Sequence, residues 1–157
     1  MNHSNLINDY LAGADLVNQA IRGLNDEQLQ MRPDPGMWSP LEVGCHLADS
    51  EALFAERMKR VLAEDRPPLL FSDPDGCVAA LACHQRDAAN EAALIALLRR
   101  QMTSILRAQP DSAWQRIGVH NTAGEQTLEQ LVKKAIHHLA HHLEILRDKR
   151  QLLMPSE

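Results

Sequence analysis

Two helix starts constrain this chain more than any other feature. "SPLE" (Ser39 to Glu42) and "TLEQ" (Thr127 to Gln130) each place a Glu or Gln three residues after a hydroxyl residue. That spacing forms a capping box, in which each side chain satisfies a backbone N–H that the first helical turn leaves open. Pro40 adds the φ that suits a first helical position. Behind each box, apolar residues recur at three- and four-residue steps for about twenty residues, to near Ala63 and near Arg150. Two further segments share the period. One runs from about Ser4 to Arg22, with Leu6, Tyr10, Ala14, Val17 and Ile21 on one side; the other runs from about Arg86 to Ala108. Helices of this length hold in water only when their apolar stripes meet. The expected fold is therefore all-α, a four-helix bundle with a long connection between the second and third main helices.

The breaks carry most of the Pro and Gly. "RPDPGM" (Arg32 to Met37) cannot be helical, and Glu64 to His84 is a connection with room for a short helix near Gly76 to Cys83. "GVHNTAGEQ" (Gly118 to Gln126) reads as a turn region, and no strand-like alternation stands out anywhere. With 157 residues, 45% of them apolar, the chain suffices for one domain spanning 1–157 with a core of Leu, Ala, Ile, Val and Met. A formal charge of −5 without a basic stripe argues against nucleic acid as a partner. No apolar run is long enough to span a membrane, and the N-terminus lacks a secretory pattern. Cys45, Cys77 and Cys83 form no CxxC pair, so they read as free buried thiols and the expected location is cytoplasmic.

The chemistry concentrates in "AIHHLAHHLEIL" (Ala135 to Leu146), which holds four of the eight histidines. At about 100° per residue, His137 and His141 fall on one face with Lys133, Lys134, Glu144 and Asp148. His138 and His142 fall instead beside Leu131, Ala135 and Ile145, on the rim of the apolar face. Such an i,i+4 pair either shares one metal ion or consists of core histidines satisfied by hydrogen bonds. A metal needs a further ligand, and His46 in "EVGCHLADSE" is the natural third candidate from another helix. His84 and His120 lie in connections, His3 lies at the frayed N-terminus, and Cys45 points about 100° away from His46. Three neutral imidazoles leave the metal's charge intact and a coordination position open, as in catalytic sites.

"MWSPLEVGCHLADSE" and "GVHNTAGEQTLEQLVKKAIHHLAHHLEIL" together resemble the DinB-like (damage-inducible) superfamily, which includes bacillithiol S-transferases. The likeness rests on Trp38, Ser39 and His46 in the first motif, and on Gly124, Thr127, Leu128, His138 and His142 in the second. It implies a metal triad of His46, His138 and His142 holding a divalent ion, Zn or Ni above all. By resemblance, the metal activates a low-molecular-weight thiol (or water) for transfer to a small electrophile, and the chain forms a homodimer. Asp49 either orients His46, lines the cleft or stands in solvent, and His120 with Asn121 either reaches the cleft or forms a polar turn. His141 is either a contact behind the ligands or a solvated residue. Two other roles remain open at this level: a metal-binding stress-response protein without turnover, and a non-catalytic helical interaction module.

Overall fold

Both capping boxes form. Ser39 Oγ accepts from Glu42 N (3.2 Å) while Glu42 Oε2 accepts from Ser39 N (2.7 Å). Thr127 and Gln130 repeat the exchange at 3.2 and 2.9 Å. The computed structural model describes residues 3–154, so the expected domain bounds, 1 and 157, lie outside the described residues. In chain order its helices are α1 (Ser4–Ala12), α2 (Leu16–Ile21), α3 (Asp26–Gln30), α4 (Pro40–Ala63), α5 (Pro74–Ala80), α6 (Ala88–Arg107) and α7 (Leu128–Leu153). The strands are β1 (Pro68–Leu69), β2 (Ile117–His120) and β3 (Gly124–Thr127). α1 and α2 pack on α6 and α7, and α4 packs on the same two helices, which makes the four-helix bundle. Residues 64–87 form the long connection between α4 and α6.

Arg99 of α6 stands at the centre of this arrangement, only 1% exposed. Its Nε donates to Glu51 of α4 (3.0 Å), Nη1 to the Tyr10 carbonyl of α1 (2.9 Å), and Nη2 to the Ala135 carbonyl of α7 (2.9 Å). Tyr10 Oη closes the network by donating to Glu51 Oε1 (2.5 Å). Burial first, and then the Glu51 charge, raise the Tyr10 pKa, so the hydroxyl stays a donor.

That guanidinium also explains why the first segment departs from expectation. It is not one helix from Ser4 to Arg22, because a 3-10 turn at Gly13–Asp15 separates α1 from α2. The Tyr10 carbonyl, which a continuous helix would bond to the amide four residues on, is taken by Arg99. A Cβ at Gly13 would lie 2.2 Å from Arg99 Nη1 and 2.6 Å from Leu139 Cδ2. Glycine is required there by the close approach.

Further corrections concern short elements. α3 was not expected, although Asn25 and Gln28 form a third capping box. The helix in the connection starts at Pro74, a residue suited to a first turn, and ends at Ala80 rather than Cys83. "GVHNTAGEQ" is not a bare turn, for β2 and β3 pair antiparallel across it, and β1 joins β2 in parallel. Runs of two to four residues are too short to display a period of two. His3 is not frayed, since its ring stacks on Trp114 at 4.1 Å.

The small sheet matters because it pins the connection beside α4. A Cβ at Gly118 would lie 2.7 Å from Leu69 Cδ1, so the bare backbone lets β1 and β2 sit flush over Val61. Phe71 N then donates to Asn121 Oδ1 (2.9 Å). Phe71 and His120 are thereby delivered to the same end of the bundle.

Candidate metal centre

α4 and α7 face each other, and the capping boxes set where each helix begins. His46 projects from the second turn of α4 and is 8% exposed. His138 and His142 project from the middle of α7, one turn apart and half-buried. One ring nitrogen from each of the three lies within 4.8 Å of the others. His46 Nε2 and His138 Nε2 are 3.0 Å apart, and the ring centroids of the three pairs are separated by 4.6–5.0 Å. Trp38 closes one side, 4.9 Å from the His46 ring and 6.4 Å from His142.

The electrostatics keep these rings neutral. Burial, followed by the neighbouring histidines, lowers the His138 pKa to about 3. The same order of causes lowers His142 to about 4. Burial also lowers His46, against the opposing fields of Asp49 and Asp75. Neutral imidazole is the ligating form, so protons compete weakly at neutral pH. His142 Nδ1 is shielded from solvent and has no hydrogen-bond partner. Three convergent neutral nitrogen donors, with an orphaned buried nitrogen on one ring, fit a divalent ion.

A pH dependence follows for the metal-free protein. Unfolded histidine titrates near 6.5, whereas His138 and His142 in the fold titrate at about 3 and about 4. Between those limits the unfolded chain binds more protons, so stability falls as pH drops from about 6.5 towards 4. Urea unfolding of chelator-treated protein at pH 7, 6 and 5 should show this decline. A His138→Ala/His142→Ala variant should show a flatter one.

The remaining expected residues divide. Asp49 does not orient His46; Arg86 clamps it through two bonds of 2.9 Å, while Ser50 Oγ lies 3.5 Å from His46 Nδ1. Asp49 still lines the neighbouring cavity. His141 is exposed and touches only the edge of His142, at 5.1 Å between centroids. His137 is exposed as well. Cys45 is buried away from the centre, its Sγ 4.0 Å from the Cys83 carbonyl oxygen.

His120 reaches the cavity. Its Nδ1 accepts from the Thr122 and Ala123 amides, both at 3.2 Å, so its proton sits on Nε2. That cavity is about 460 Å³ and includes His46, His138 and His120. Phe54 and Arg57, which were not singled out in the sequence, also line it, as does Cys77. Cys77 is half-buried rather than buried. Only Arg57 had a signal available, standing eleven residues after His46 and so on nearly the same helical face.

The sequence model described as the DinB superfamily matches residues 10–146. The Bacillus subtilis protein named "Putative metal-dependent hydrolase YfiT" is 29% identical over 128 residues, covering 81% of this chain and 72% of that protein. The solved structure of YfiT, described as having an unusual four-helix bundle topology, superposes with a TM-score of 0.88 at 25% identity. The match covers 94% of this chain and 85% of that one. The mycothiol-dependent maleylpyruvate isomerase shares the fold at a TM-score of 0.73 and 10% identity, over 93% of this chain and 61% of its own.

Proposed function

The chain belongs to the DinB superfamily, and from that premise we propose that it is a metal-dependent enzyme. His46, His138 and His142 hold a divalent ion, with Zn and Ni the foremost candidates. There the protein activates a low-molecular-weight thiol, or water, for attack on a small electrophile. The observation that carries this reading is the convergence of three nitrogens within 4.8 Å on rings that stay neutral. When bound, such an ion lowers the pKa of a thiol or water brought to it and so supplies a nucleophile at neutral pH.

The protein's own groups bind and orient. Leu53, Phe54 and Phe71 present apolar surface to one side of the cavity, which suits a small organic substrate and excludes bulk water. Trp38 covers the ligand rings from the other side. Arg86 holds Asp49 in an ion pair, which keeps that carboxylate off the imidazoles. In this reading the attacking group is the external thiol or water rather than Cys77, the half-buried thiol that also lines the cavity.

The name of YfiT favours water as the second choice of nucleophile. The test uses protein loaded with Zn or Ni, 1-chloro-2,4-dinitrobenzene as electrophile, a panel of small thiols, and p-nitrophenyl acetate as a hydrolytic probe. Thiol- and metal-dependent loss of the chlorobenzene is the expected result. Metal-dependent ester cleavage that is indifferent to thiol assigns water as the nucleophile. If neither probe responds to metal, the enzymatic reading is abandoned.

A further inference from the structure

We infer that the cavity beside the three histidines recognises an anionic group, a carboxylate or a phosphate, through Arg57 with His120 as a second donor. The inference rests on the proposed function only in taking this cavity as the place where substrate sits. Arg57 is 8% exposed and lines the cavity. Its Nη2 donates to the Leu70 carbonyl, and its Nε is shielded without any partner. No carboxylate forms an ion pair with Arg57 among the described residues. A buried guanidinium without a counter-charge is costly unless something supplies one.

The nearby acids are engaged elsewhere or turned outwards. Asp49 is clamped by Arg86. Glu56, next to Arg57 in sequence, is half exposed and lies 3.6 Å from Arg60. Asp75 is exposed on α5, and its field is felt at His46 rather than at Arg57. Two groups near this end, His120 and Lys134, bring a donor and a cation. His120 carries its proton on Nε2, as its Nδ1 bonds require. Lys134 donates to Gln126 and, with Arg57, adds to the positive field at His120. Phe54 offers its ring 5.9 Å from the Arg57 guanidinium carbon. A planar guanidinium beside a neutral N–H donor suits a carboxylate or phosphate.

Position sets the shape of the substrate. Arg57 and His46 stand on nearly the same face of α4, and the Phe54 ring stands between guanidinium and triad, 5.9 Å from the Arg57 guanidinium carbon and 5.7 Å from the His138 ring. The anion therefore binds at the end of the cavity away from the three histidines, with the reacting group at the other. The substrate class is a small organic anion whose charged group is several bonds from its electrophilic centre.

The test measures binding by calorimetry at constant ionic strength, on metal-loaded wild type and Arg57 variants and on His138→Ala without metal, with glutarate, inorganic phosphate and neutral dimethyl glutarate as probes. Glutarate alone binding marks the group as a carboxylate, and phosphate alone marks it as a phosphate. We expect one anion per chain, with affinity reduced at least about tenfold by Arg57→Met and less by Arg57→Lys. His138→Ala should retain the anion preference, because the pairing group is Arg57 and not the metal. Thus a failure of the metal reading leaves this result intact. Absence of saturable anion binding by the wild type overturns the inference, as does Arg57→Met binding within about threefold of it. Should Arg57→Met not fold, His138→Ala decides alone. Preference for the anion over the neutral ester there supports the inference, and equal binding overturns it.

Discussion

Arg99→Ala is expected to lower the unfolding free energy by about 3–5 kcal/mol, the usual consequence of removing one partner of a buried ion pair. Glu51 is 3% exposed and would be left with a buried charge, while the Tyr10 and Ala135 carbonyls would each lose a donor. For a domain of this size the melting temperature should drop on the order of 10 °C. Glu51→Ala should cost a similar amount, because it strands the guanidinium instead. The Arg99→Met/Glu51→Met double variant should recover much of the loss, since both charges then leave the interior together. Urea unfolding of the four proteins measures the coupling. Single variants that lose less than about 1 kcal/mol would show that water or rearrangement satisfies the stranded group. The network also carries the site, because Arg99 bonds α7 at Ala135, one turn before His138.

The second large effect concerns His138. Elemental analysis of tag-free wild type should find about one divalent ion per chain, and His138→Ala should contain almost none. The loss in affinity should exceed the roughly 10–100-fold that removing an outer-shell partner costs. Added Zn or Ni at a hundred times its dissociation constant should stabilise the wild type by about 2.7 kcal/mol. The same addition should leave the unfolding of His138→Ala unchanged. His137→Ala is the control, for that ring is exposed and belongs to no cluster within ligating distance among the described residues. If His137→Ala loses the metal and His138→Ala keeps it, the inward pair has been misidentified. Equal, empty analyses after incubation with either metal would make these core histidines.

Much of the bundle was legible because its signals are local. A capping box acts within four residues and a helical stripe repeats within four, so Ser39, Thr127 and the apolar faces announce α4 and α7 without reference to anything distant. The inward turn of two histidines on α7 was legible on the same basis. Rotation about a helix axis is dictated by sequence position, and His138 and His142 turn inwards while His137 and His141 stay exposed.

What failed depended on contacts between residues far apart in the chain. Gly13 breaks the first helix because Arg99, eighty-six residues later, claims its space and the Tyr10 carbonyl. The strands are too short to carry a period of their own and exist because β1 meets β2 across the chain. Spacing left Asp49 open between His46, the cleft and solvent, and Arg86 arrives from the connection to hold it at the cavity wall. Arg57 is buried only because β1 and the segment after it fold over it. Helix starts, faces and the inward histidine pair were thus determined by the sequence itself, because backbone capping and helical rotation are short-range. The convergence of His46 on that pair, the buried Arg99 network and the cavity charge were decided only by tertiary structure, because burial and pairing of charge depend on which distant groups arrive.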